Sequence, residues 1–592
     1  MQLPFGQPVS VEEETILVVA NLSRLVQCFE VDLAQFRGMV PVELSGSTRF
    51  PEIGDRPYFL NLGPFAFYWF SLERRVIEPV TLSEDVPLIN VRTWNEVFAD
   101  RQRDALGRAV TRYLRSRRWF GGKAKTISAV HVRDHIGLTR ESVLALIEIE
   151  YTDAEPDLYM LPLAMAQARR AAEGESPTLI SRLRDGCLLY EPVTDVAFAR
   201  ALLDVVVRKR QLKGTKGVVN GIASRAMKEL RGDSTLDAQV LKGEQSNTAI
   251  VYGQRLFMKL FRRLEPGVNT DLEVTRFLNE ETSFANTPRL AGWLEYTPRN
   301  DEPMTLALVQ AFTPNAGDAW SYTLDSIGRY FERILSNDPP VQEMIGGYLA
   351  DAELLGRRTA EMHLALASRD DIATFAPEPI TPHYQRSIYQ YVRTQAVQAL
   401  QLVRRRAKEH PDAQELLSRE AELQQHIRAV LNGKIGGQRI RTHGDYHLGQ
   451  VLFTGNDFVI IDFEGEPLRP LSERRIKRSA LRDVAGMIRS FHYAPYAVMF
   501  GQVAGSVIRP EDVTKLDAGA RFWYRWVSDA FMRAYLHHSS GAAHLPQSND
   551  EIRVLLEAHL LEKALYEIVY ELNNRPDWVR IPLRGVLELL RG

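Results

Sequence analysis

The sequence predicts an α+β fold in several domains, from three observations. Its 592 residues exceed what one hydrophobic core usually serves. Short apolar or alternating runs, punctuated by glycine and proline, crowd its first 80 residues as strands would. From about residue 316 onward, apolar residues recur at helical spacing over long stretches. Composition is that of an ordinary globular chain, 45% hydrophobic and 25% charged.

Taken in order, residues 1–80 read as an all-β domain. ETILVVANL, CFEVDL, MVPVEL, PYFLNL and AFYWFSL are its strands, and Gly38, Gly46, Gly54 and Gly63 mark the turns. A proline-containing connection from Glu78 to Pro87 leads out. Residues 88–230 open with a helix from Asn95 to Arg118 and continue through RRWFGGKAKTI and the strands SVLALIEIEY and LYMLPLA. They close with the helix VAFARALLDVVVRKR. Residues 231–315 follow the order strand, turn, strand, helix, strand. Residues 316–592 are mostly helical, interrupted by strands only at 439–464, and their last long helix runs from Asn549 to Asn573.

The bulk numbers exclude several classes. A net charge of −2 gives no reason to expect nucleic-acid binding. Two cysteines, Cys28 and Cys187, make neither a disulfide framework nor a cysteine zinc site. MQLPFGQPVSVEEE lacks a basic region followed by an apolar core, and no apolar run reaches the ~20 residues of a membrane helix. A soluble cytoplasmic protein is the expectation.

The chemistry is concentrated in RTHGDYHLGQVLFTGNDFVIIDFEGEP, residues 441–467. Asp445 and Gln450 have the spacing D-x-x-x-x-N of a kinase catalytic loop, with glutamine replacing asparagine. Asp445 would face an acceptor hydroxyl and take its proton. Gln450 would turn its carbonyl oxygen to a metal, and Asp462 at a strand end is the second expected ligand, with Glu464 a third candidate. Magnesium prefers such hard oxygens and takes few from protein. Upstream, GEQSNT at 243–248 links two strands as a phosphate-covering turn would, with Ser246, Asn247 and backbone amides as donors. Lys259 lies inside RLFMKLF, where an unpaired lysine is costly to bury. Either it points to solvent or it serves nucleotide phosphates, paired with Glu273 on the following helix. VQAF, 309–312, would be the linker whose backbone, at Gln310 and Phe312, meets adenine.

These segments, with LRSRRWFGGKAKTI (114–127), YMLPLA (159–164) and ALYEIVYELNNRPDWVRIPLRG (564–585), make residues 90–592 resemble the maltokinases of the aminoglycoside-phosphotransferase-like kinase group. The resemblance implies a bilobal protein-kinase-like fold with an N-terminal cap, ATP and Mg2+ as cofactors, and conversion of maltose to maltose 1-phosphate for α-glucan (glycogen) synthesis. Residues 15–72 resemble the C-terminal β domain of trehalose synthase, which implies either the kinase end of a synthase–kinase fusion or a kinase that retains that module. That module is then either a spacer or a dock for a synthase. Another sugar kinase, such as a glucosamine kinase, and a pseudokinase scaffold are the alternatives.

Sugar contacts are expected near the loop: His443, Tyr446 and His447, with loop orientation the alternative role for His443. Arg482, Asp483 and Arg489 on the next helix are candidates too, with surface or helix-pairing roles the alternative. Tyr496, Trp523, Tyr524 and Trp526 form either a sugar platform or core. Trp119 to Lys123 belongs to the cap and faces either the nucleotide or the lobe interface.

Overall fold

The computed structural model describes residues 6–591 apart from 12–13, 22–26, 45–49, 52, 55–56, 63–66, 75–85, 168–177, 233–235, 242–245, 337–339, 468 and 500–511. Most of the predicted Glu78–Pro87 connection, and Gly243 to Gln245 of the phosphate turn, lie outside the described residues. The chain divides into two compact units. One comprises 1–81, 324–344 and 494–522, and the other comprises 82–323, 345–493 and 523–592.

The first unit contains the predicted β domain. Its larger sheet has the order Gly6–Val11, Glu14–Ala20, Phe67–Arg74, Met39–Glu43, and Gln27–Val31 pairs with Tyr58–Leu62. Period-2 alternation decides which side chains turn inward: Leu17, Val19, Phe70 and Leu72 are buried while Phe67 and Trp69 are exposed.

The second unit is built on two sheets. The first has the order Leu88–Ile89, Thr178–Leu183, Cys187–Glu191, Asp157–Gln167, Ser142–Tyr151, Ile127–Gly137. Helix Arg103–Arg115 covers it with Leu106, Ala109, Val110 and Leu114. The expected helix from Asn95 to Arg118 is thus broken. A Thr93 capping box starts a short helix, Trp94–Val97, and a second begins at Arg103.

The second sheet has the order Gln211–Lys213, Gly217–Ala223, Leu290–Pro298, Met304–Ala311, Leu256–Leu260, Thr248–Tyr252, Ala238–Val240. Its first two strands, and helix Val196–Val207 packed on them, precede residue 231, so the sheet begins earlier in the chain than the expected boundary. At Gly221 the helix approaches so closely that an added Cβ would strike the Val205 carbonyl. Met304–Ala311 is buried over nearly its whole length, as a central strand is.

Helices Tyr348–Leu366, Pro382–Arg406 and Asn549–Asn574 dominate the remainder. A hairpin, Val451–Phe453 with Phe458–Ile460, interrupts them. Among the described residues no helix is long and apolar enough to cross a membrane.

Candidate active site

Two clusters meet in the second unit. The first forms around Lys259, at the centre of strand Leu256–Leu260. Alternation puts Met258 and Leu260 in the core and turns Lys259 the other way, with its side chain only 12% exposed. Its Nζ donates to Asp271 at 2.9 Å and to Asp462, and lies 3.0 Å from Glu464. Three carboxylates surround one ammonium, and Arg474 also reaches Glu464 at 3.6 Å, so negative charge still exceeds positive around Lys259. Burial opposes the charged lysine, but the acids outweigh it and hold Lys259 well above its usual range. Asp271, fully buried, is pushed up by burial and by the neighbouring Asp462 and Glu464, with Lys259 opposing.

The lysine's helix partner is therefore Asp271, and Glu273 does not take that place. Both sit in the first turn of helix Thr270–Glu280, capped by Asn269. Two residues along a helix are about 200° apart in direction, so the two acids face different neighbours. Glu273 pairs with buried Arg441 at 2.9 Å and with Arg475 at 3.4 Å. Asn247 donates to Glu464 at 2.9 Å, which ties the turn to the cluster, while Ser246 is exposed.

The second cluster forms around Asp445. The hairpin explains the loop's spacing: Val451 pairs with Ile460, and the Ile461 N–H donates to the Gln450 carbonyl at 3.0 Å. Gln450 is thereby brought beside the residue that precedes Asp462. Asp462 has a left-handed backbone, φ +65°, a strained state for aspartate of the kind found at functional sites. Asp445 is met by Lys563 Nζ at 3.2 Å. Burial alone would raise its pKa. The Lys563 ammonium and His447 outweigh burial and hold the carboxyl below its ordinary range.

Several expected sugar contacts are instead the loop's supports. Asp483 accepts the N–H groups of His443 at 2.7 Å and Gly444 at 3.0 Å, and pairs with His363 at 3.2 Å. His443 is buried. Its Nε2 bonds the Ile461 carbonyl at 2.9 Å, so Nδ1 is the nitrogen left to accept the Asp445 N–H at 3.4 Å. Tyr446 is buried against Thr359, and Arg489 pairs with Glu567 at 2.6 Å. The helix carrying Asp483 can lie this close because residue 486 is glycine: a Cβ there would meet the Tyr446 carbonyl at 2.5 Å. Trp523 is core. Neither Tyr524 nor Trp526 is among the residues lining the cleft beside Asp445, and Tyr496 is buried in the other unit.

Tyr391, Glu466, Arg482, Lys563 and Tyr566 do line that cleft with Asp445. Of the expected substrate residues, Arg482 lines the cleft with its guanidinium. It pairs with Glu466 at 2.7 Å and Glu562 at 3.0 Å, and donates to the Gly444 carbonyl at 3.2 Å. Lys563, Tyr566 and Tyr570 follow at helical spacing on Asn549–Asn574. Lys563 lies 5.4 Å from the Tyr566 ring, and the two tyrosines stack at 6.3 Å. That i, i+3, i+7 stripe was the available sequence signal for the missed acceptor side.

The adenine expectation needs a shift. Gln310 is still in strand Met304–Ala311, and its side chain is buried toward Thr275. The N–H groups of Ala311 and Phe312 are taken by the carbonyls of Arg289 and Arg255. The strand ends there, and Thr313 is the first residue beyond it whose backbone leaves the sheet.

This fold is kinase-like. Two solved glucosamine kinase structures resemble it, one with TM-score 0.56 at 19% identity, covering 85% of this chain and all of that one. The other, in complex with glucosamine, ADP and inorganic phosphate, has TM-score 0.54 at 20% identity, covering 84% and 99%. Residues 340–465 match the phosphotransferase enzyme family, residues 113–195 the maltokinase N-terminal cap domain, and residues 10–69 the C-terminal domain of maltogenic amylase. The chain thus combines a phosphotransferase-type segment with a maltokinase-type cap and an amylase-type β domain, which supports a kinase. Glucosamine kinase of Streptacidiphilus jiangxiensis is 26% identical over 352 residues, 59% of this chain and 72% of that protein. Glucosamine kinase of Mycolicibacterium smegmatis is 25% identical over 396 residues, 66% and 88%. The β domain is similar to trehalose synthase of Pimelobacter, 50% identical over 60 residues, only 10% of either chain.

Proposed function

We propose that this kinase transfers the γ-phosphoryl group of ATP to maltose, giving maltose 1-phosphate. The observation that carries the reading is the cleft beside Asp445, lined by Lys563 and Tyr566, with Tyr570 stacked on Tyr566 one helical turn further along. The anomeric hydroxyl of the reducing ring faces Asp445. The other ring runs along the tyrosines. Asp445, kept ionised by Lys563, orients the hydroxyl and accepts its proton as the phosphoryl group arrives.

Lys259, released from Asp462, serves the α- and β-phosphates while Asp271 keeps it charged and aimed. The Ser246–Asn247 turn covers the phosphates, and the segment from Thr313 meets adenine. The net negative charge around Lys259, with hard oxygens on Asp462 and Gln450, fits magnesium. Asp462 and Gln450 would hold it, with Glu464 behind them. Bound there, magnesium supplies neutralisation of phosphate charge. Catalysis is otherwise positioning.

The names of the similar kinases favour a second reading, glucosamine as acceptor. Lys563 weighs against it, because an ammonium beside Asp445 repels a protonated amino sugar, and Glu466 and Glu562 are already paired with Arg482. Likeness of the β domain to trehalose synthases supports a place next to an enzyme that makes maltose from trehalose. A pull-down of such a synthase by the full chain, lost when residues 1–81 are removed, is the expected result for that docking. ADP release measured with maltose, glucosamine, glucose and trehalose tests the substrate. Maltose should give the highest kcat/KM, and turnover of glucosamine alone would overturn the reading.

A further inference from the structure

The Trp119–Lys123 segment has no role in the reaction as described, yet the cap that carries it reaches the nucleotide side. Arg262, three residues after Lys259, is 1% exposed. Its NH1 pairs with Glu191 at the end of cap strand Cys187–Glu191, and the other oxygen of that carboxylate accepts the Tyr113 hydroxyl at 2.6 Å. Trp119 lies against the guanidinium at 4.8 Å. The Arg262 carbonyl accepts the N–H of Met160 on cap strand Asp157–Gln167 at 2.8 Å. On its other side, Arg262 Nε donates to Thr248 Oγ1 at 2.8 Å. Thr248 directly follows Asn247, which bonds Glu464 in the Lys259 cluster. One buried guanidinium therefore spans from two cap residues, Glu191 and Trp119, to the residue that ends the phosphate-facing turn.

A buried ion pair is a poor way to add stability, since apolar residues of similar volume often do as well. What it does supply is a fixed register between two elements. We infer that Arg262 is a positioning residue through which the cap holds the Ser246–Asn247 turn for the nucleotide. This rests on the nucleotide reading of the Lys259 cluster. The cap then sets affinity for ATP and leaves sugar binding alone.

The test breaks the link at each end without removing the arginine. Thr248→Val keeps the branched strand residue and deletes only the acceptor, so ADP affinity and KM for ATP should weaken about tenfold, the size of a lost hydrogen bond to a charged group. The KM for sugar and kcat should stay within about twofold, and Thr248→Ser should restore wild-type values. Tyr113→Phe should produce the same ATP-selective change at about threefold, smaller because it reaches Arg262 only through the Glu191 carboxylate. Melting curves establish that each variant is folded, and Tyr113→Phe carries the test if Thr248→Val is not. The inference is overturned if both variants bind ADP like wild type, or if sugar KM moves as much as ATP KM. Lys259→Met separates the two levels. If it too binds ADP normally, the nucleotide reading is wrong. If it alone loses ADP, only the cap link is wrong.

Discussion

The two halves of the site treat charge differently. Around Lys259, three acids meet one ammonium, and one of the three, Glu464, is also reached by Arg474. Around Asp445, one carboxylate meets one ammonium, and the neighbouring acids Glu466 and Glu562 are taken by Arg482, with Arg469 and His559 adding to the pairing. The first half is unbalanced, which is what the proposed magnesium–nucleotide site would need. The second is balanced, as suits an uncharged sugar. Desolvating a charge without a partner is costly, so each half is matched to what it admits.

Breaking the acceptor half should have the largest effect. Asp445→Asn is expected to lower kcat by about 10²–10⁴, the usual contribution of a general base, while calorimetry finds ADP binding intact. Next comes the nucleotide half. Asp271→Asn should raise KM for ATP by about tenfold or more through loss of a charged hydrogen bond to Lys259. Glu273→Gln, two residues away, should instead weaken the buried Arg441 contact, so it lowers the melting temperature more than it lowers kcat/KM. Equal kinetic damage from both would return Glu273 to the role first expected of it.

A smaller effect sharpens the sugar side. Tyr570→Ala should raise KM for maltose by about three- to tenfold, the worth of one aromatic contact, and leave KM for glucose unchanged. The smallest is a pH shift. Lys563 lowers the Asp445 pKa, so in Lys563→Met the carboxyl titrates higher and the acid limb of the kcat profile moves to higher pH. An acid limb that stays put or moves down would deny Asp445 the role of base.

How legible the molecule was depended on whether a residue acts through local spacing or through distant packing. The loop from His443 to Gln450 and the strand to Asp462 were readable because a hairpin fixes their separation within one short segment. Lys259 was readable because alternation leaves few options for a lysine inside an apolar strand. Choosing between Asp271 and Glu273 was not, because it depends on the rotation of a helix relative to a sheet. For Asp483 and Arg489 the sequence left open substrate contact or helix pairing. They proved to be spent on the Gly444 loop and on Glu567, partners 39 and 78 residues away. Lys563 was missed because it meets Asp445 across 118 residues, with only an aromatic stripe to mark its helix face.

The central claim is that Asp445 directs a phosphoryl group onto a hydroxyl of a disaccharide. Phosphorus NMR of ATP and maltose incubated with wild type and with Asp445→Asn tests it most directly. The expected result is a sugar-phosphate resonance coupled to the anomeric proton with wild type, absent with the variant. Release of free phosphate alone, or an undiminished sugar phosphate from Asp445→Asn, would contradict it.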